Sequence, residues 1–370
     1  MAITATGSSA LRTGVYAAPT GNAPHPPDVI SSTGFQANVA NANIGNALDF
    51  VVDGNDASPT LKSRQAQHPF SEHDMLDAIA NHRYDDLSDK MQGMPNKREF
   101  VEQFHKHHKD EYATLQADIR AGKVGSPSLK MAVALDTLKG TTWGSSGEGA
   151  KVVQHLDHLY DTGRITTEED PGGLGRTDIT TPGATGSDGQ RADTRVVLNQ
   201  GLLDSPEATA TILAHEGQHS YRDSMGTRKR SLEEEVDAHM AQNAVWSGFG
   251  PEKDASDAGE PVNSLNTTAT YDTRDKLYNH LMPSYLQDYM DKAQLPGQKD
   301  ENEKAARGLV IDYVKYSSQR GDAPLRDLPD GDLANLTKNA HALLSGSGRT
   351  FRSSVDAVDA ETPNRQMRGE

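Results

Sequence analysis

Two histidines stand four residues apart in His215-Glu216-Gly217-Gln218-His219, and that interval constrains the fold more than any other feature of the chain. On a helix of 3.6 residues per turn, positions four apart share one face. The flanking residues suit a helix. Ser205-Pro206-Glu207 offers a serine N-cap, a proline at the first helical position and an acid in the first turn. Ala208, Ile212, Leu213 and Ala214 then form a bulky apolar run into His215, as in a buried helix, which should end between Tyr221 and Gly226. On that face His215 and His219 can grip one ion together. Glu216 points to the neighbouring side of the same turn, where it can take a proton from a water bound to that ion.

A third ligand is expected from Ser231-Leu-Glu-Glu-Glu-Val-Asp-Ala-His239, which begins twelve residues past His219. Ser231 and Glu234 have capping-box spacing, which occupies Glu234 with the backbone. Glu235 lies one turn from both Leu232 and His239, near the edge of the inward face, and is the expected ligand. Asp237 and His239 stand as rivals, or as groups orienting a ligand imidazole. Two imidazoles, one carboxylate and one open position describe a catalytic zinc site rather than a closed structural one.

His215-Glu216-x-x-His219 followed by Glu235-x-x-Ala238 resembles the gluzincin-type zinc peptidases over about residues 190–250. The resemblance implies Glu235 as third ligand, Zn2+ as cofactor, and hydrolysis of peptide bonds in a protein or peptide substrate, with Glu216 activating a zinc-bound water. It also implies an edge strand above the metal helix. The β-branched run Asp193–Asn199 fits that strand and is a candidate for binding extended substrate by strand addition, or else an ordinary core strand. Negative charge on the tetrahedral oxygen needs a further donor. Tyr221, His239, Tyr271, Tyr278 and His280 are available, and Tyr278 and His280, downstream of the linker, are the chosen candidates.

The expected fold is mainly α (α+β), a zincin-like core with a small sheet, flanked by helices and disordered tails. Helices are expected from Ser71 through Met75, Leu76, Ile79 and Tyr84, from Asn96 through Phe104, Tyr112 and Ile119, and over 126–138 and 147–160. A Gly/Thr/Asp-rich segment, 162–190, reads as a long loop that lines the cleft or lies idle on the surface. Residues 248–266 read as a polar linker. Further helices are expected over 271–293, 301–319 and 332–344. The domain reading is a leader (1–65), a helical region (66–161), the zincin core (162–250), a helical region completing the cleft (251–349) and a flexible tail (350–370).

Only 34% of residues are hydrophobic and the mean hydropathy is −0.70, so the core is smaller than 370 residues suggest. Residues 1–65 carry almost no periodic apolar pattern and are expected to be disordered. They lack the basic region and apolar run of a secretory signal peptide. No stretch approaches the ~18 apolar residues of a membrane span. With 53 acids against 37 basic residues the net charge is −16, which repels phosphate backbones and sets a nucleic-acid partner aside. Cysteine is absent, leaving His and carboxylates to bind a transition metal. The polar leader, the lack of cysteine and the compact core resemble secreted effector proteases that bacteria inject into host cells. Nothing in the chain specifies an oligomeric state.

Other constellations weigh less. His105-Lys-His-His108 reads as a solvated helix face, His155 and His158 as packing or surface residues, and Gly144–Gly149 lacks the lysine of a phosphate loop. No G-x-S-x-G elbow supports a serine hydrolase. Two other classes stay open: a peptidoglycan or other amide hydrolase with the same metal site, and a non-catalytic binding protein on a decayed zincin fold.

Overall fold

Most of the described chain is helical, and several of its helices begin at a side-chain cap. The computed structural model describes residues 70–368, apart from 86, 88–90, 92, 93, 95, 170, 172, 181–190, 230, 251–259 and 346. The leader, 1–65, residues 181–190 of the glycine-rich segment and residues 251–259 of the linker lie outside the described residues.

Helix α1 (Glu72–Asn81) opens on a full capping box, with the Ser71 hydroxyl taking the Asp74 N–H and the Asp74 carboxylate taking the Ser71 N–H at 3.0 Å. The single helix expected from Asn96 to Ile119 is two, α2 (Lys97–His107) and α3 (Lys109–Arg120), broken at His108. Asn96 does start α2, but from left-handed backbone and without a side-chain cap bond. The break has a packing cause. On a straight helix His105 and Tyr112 would stand about 10 Å apart along the axis, yet their rings stack with centroids 3.9 Å apart. Both bond one buried carboxylate, Asp136, at 2.8 Å. That acid sits on α4 (Pro127–Gly140), so the histidine patch ties α2, α3 and α4 together.

After α5 (Gly147–Asp161), the segment expected to be a loop folds into β1 (Ile165–Glu168) and β2 (Gly175–Ile179). They flank β3 (Thr194–Asn199) in a three-stranded sheet of order β1-β3-β2, parallel on one side and antiparallel on the other. The run expected as an edge strand is therefore central. Both sides of β3 are paired, which closes it to strand addition.

A 3-10 turn (Gln200–Asp204) leads into α6 (Pro206–Met225), capped by the Ser205 hydroxyl accepting from Ala208 N–H at 3.2 Å and ended by left-handed Gly226. From Pro206 to Ser220 every residue is buried, because α4, α5, β2, β3 and α7 (Leu232–Gly248) surround this helix. Two glycines allow the close approach. A Cβ on Gly217 would stand 2.7 Å from Val152 on α5, and one on Gly175 of β2 would stand 2.9 Å from Ile212 and 3.1 Å from Glu216.

The end of the expected linker folds into α8 (Glu260–Ala269), held by buried Leu265 and by the Trp246 indole N–H donating to Asn266 at 2.9 Å. Then follow α9 (Arg274–Lys292), α10 (Lys299–Ser318), the one-turn α11 (Ala323–Arg326) and α12 (Asp330–Ala342). The tail expected to be flexible is α13 (Arg349–Arg368), whose Phe351, Val355 and Val358 are buried. Arg365 anchors it by donating to the carbonyls of Leu325 and Leu328. The buried apolar residues form two clusters. Helix α7 belongs to both, through Leu232 and Val236 in one and Val245 and Trp246 in the other. No described helix is long and apolar enough to cross a membrane.

Candidate metal centre

The first turns of α7 lie against the second half of α6, and that packing decides which acidic side chain meets the two histidines. Ser231 caps α7, accepting from Glu234 N–H at 3.4 Å. The Glu234 carboxylate, expected to complete a capping box, instead takes the Lys229 N–H at 2.9 Å. Glu235, one position on, turns into α6. Its Oε2 lies 3.3 Å from His219 Nε2 and 3.8 Å from His215 Nε2, and the two Nε2 atoms are 3.3 Å apart. All three residues are buried, and they are the one such His/Asp/Glu group of three among the described residues.

These separations fit a shared cation. Zinc bonds of about 2.0–2.1 Å to N or O at tetrahedral angles place neighbouring ligand atoms roughly 3.3 Å apart. The electrostatics agree. Burial, with help from the His239 and His219 rings, pushes His215 well below its ordinary value, so its lone pair is available. Burial alone would raise the Glu235 carboxyl, but the His219 and His215 rings and the Arg228 guanidinium outweigh it and hold the group well below the usual carboxylate range. A neutral imidazole beside an ionised carboxylate is the donor set a divalent ion needs.

Neither rival of Glu235 joins the group. Asp237, two residues on, faces the other way and is held by Arg222 at 3.0 Å and by Arg274. His239 is buried with its ring edge-on to His215, centroids 4.6 Å apart, and burial lowers it to about 4.

Glu216 is buried beside the triad. Thr177 on β2 shares its hydroxyl hydrogen between the Glu216 carboxylate Oε2 and the Glu216 carbonyl, both at 2.9 Å. Burial pushes the Glu216 carboxyl up, while His219 and this hydrogen bond pull it part of the way back. Tyr278 stacks on Tyr316 with ring centroids 3.7 Å apart, and His280 stacks on Tyr271 at 3.9 Å. Of the two, only His280 acts on the site's surroundings, adding to the depression of His239.

Two groups escaped the sequence reading. Thr177 sits in the glycine-rich segment, where nothing local marks it. Asp223 continues the stripe of His215 and His219 by one more turn, a signal that was legible. It is fully buried and accepts from Arg228, itself buried, at 2.6 Å. The pair ties the end of α6 to the connection that delivers Glu235.

His155 and His158 take no part in the triad: His155 bonds the Ser220 hydroxyl at 2.8 Å and His158 meets Arg164 at 2.9 Å. Comparison with protein-family models, curated proteins and solved structures returns no match.

Proposed function

We propose that the chain is a zinc-dependent hydrolase of amide bonds, acting on peptide bonds of a protein substrate. The observation that carries this reading is the convergence of His215, His219 and Glu235 to 3.3–3.8 Å with the buried carboxylate of Glu216 one residue from a ligand. Three protein ligands leave a fourth position open, as hydrolytic zinc sites require. Bound there, zinc supplies a polarised carbonyl and a water whose pKa is brought toward neutrality.

The remaining chemistry belongs to the protein. Glu216, anchored through Oε2 by Thr177, takes the proton of the attacking water on Oε1 and passes it to the leaving nitrogen as the C–N bond breaks. Its burial and raised proton affinity suit a group that must both accept and return a proton. His280 or Tyr278 is the proposed donor to the tetrahedral oxygen.

Elemental analysis combined with turnover of casein and of purified cell-wall fragments tests the reading. One zinc per chain is expected, lost in His215→Ala and Glu235→Ala and retained in Glu216→Gln, which abolishes cleavage of casein. Cleavage of cell-wall fragments alone would move the substrate to peptidoglycan. Zinc retained after His215→Ala would place the ion elsewhere, and activity surviving Glu216→Gln would remove the base.

A further inference from the structure

Beside Glu235 the structure contains a cavity of about 220 Å³. Leu232 and Glu235, three residues apart on α7, form one wall, and Tyr285 on α9 and Leu309 on α10 face them. Apart from Glu235 these are apolar or aromatic groups, and all four are buried; Tyr289 and Ser231 also line the cavity. Lys229 and Asp312 also border the cavity, but both are exposed and opposite in sign, so they stand at its mouth and favour no net charge inside. The volume is below the roughly 300–1,000 Å³ of sites that take a whole small ligand. It is the size of one side chain.

On the hydrolase reading above, we propose that this cavity receives one large apolar or aromatic side chain of the amide substrate, next to the bond that is cut. The position follows from Glu235, which lies both in the metal group and in the cavity wall, so the cavity adjoins the group that would hold the substrate's carbonyl. The selectivity follows from the walls. Apolar surface rewards each methylene it covers and gives nothing back to a buried charge.

Gly308 keeps the space open. It lines the cavity in mid-α10, where a Cβ would meet no atom within 4 Å. Nothing in the backbone asks for glycine there, and a larger side chain would occupy the cavity instead.

The test uses the full chain loaded with zinc and two probes with the same metal-binding head, acetohydroxamic acid and 3-phenylpropionohydroxamic acid, titrated calorimetrically. The phenyl compound is expected to bind roughly 30-fold more tightly, from the apolar area it removes from water. In Gly308→Phe that ratio should fall toward one while zinc stays at one per chain. Ala305→Phe fills the same cavity from the preceding turn and serves if Gly308→Phe folds poorly. Equal affinity of the two probes for the zinc-loaded wild type, or a preference that survives both substitutions, overturns the specificity pocket and leaves the hydrolase reading standing. A wild type that binds no zinc, or whose zinc form binds neither probe, overturns the hydrolase reading and the pocket with it.

Discussion

Thr177 is the only side chain hydrogen-bonded to the Glu216 carboxylate among the described residues. Thr177→Val keeps the shape and removes the hydroxyl, and on the hydrolase reading an outer partner of a metal site of this kind is worth roughly 10–100-fold. Turnover should fall by that factor with zinc content unchanged. A parallel loss of zinc would mean the hydroxyl supports the ligands rather than the base. His155 carries a pH dependence of stability. Burial first, then Arg164 and His158, lower it from 6.5 to about 4 in the fold. As pH falls below 6.5 the unfolded chain takes up this proton before the folded one, so stability is full above 6.5 and declines toward 4. Denaturant unfolding at pH 7 and pH 5 should show a smaller acid loss in His155→Gln than in the wild type. The Asp223–Arg228 pair is a third case, since both partners are buried. Arg228→Met leaves an uncompensated carboxylate and should cost about 3–5 kcal/mol in unfolding experiments.

At the scale of elements, the fit of α5 against α6 depends on the glycine inside the histidine motif. Gly217→Ala puts a methyl group 2.7 Å from Val152 and 2.8 Å from Leu156. Overpacking of this kind costs about 1–3 kcal/mol. Adding Val152→Ala should restore part of the loss, and the non-additivity in a double-mutant cycle measures the clash. Helices announced themselves through caps, as at Ser71, Ser205 and Ser231, because cap bonds are made within a few residues. Strands β1 and β2 did not. Their glycine, threonine and aspartate residues read as turn chemistry, and only pairing with β3 makes them strands. The same holds for α13, whose apolar residues are too sparse to predict a helix until the second core covers them.

Across the whole molecule, the triad joins α6 to α7, the one helix among the described residues that packs into both apolar clusters. An ion bound there would hold the two halves of the packing together, and a ligand that binds only the folded state adds about 2.7 kcal/mol at 100 times the dissociation constant. Thermal unfolding with zinc and with a chelator should show that increment as a higher midpoint. Glu235→Ala should abolish the difference. Equal midpoints in the wild type would mean that the triad binds no ion in the folded state.

The sequence by itself determined the helix of the two histidines, its caps and its histidine face, because all of these depend on separations of four residues or fewer. It also narrowed the third member of the group to a nine-residue stretch. Only the tertiary structure decided that Glu235 joins the histidines while two arginines draw Asp237 away, that β3 is central, and that Thr177 reaches Glu216 across 39 positions of chain. The reason is physical. Local spacing sets which face of a helix a side chain occupies, whereas the partner on that face is chosen by long-range packing, which no short pattern records.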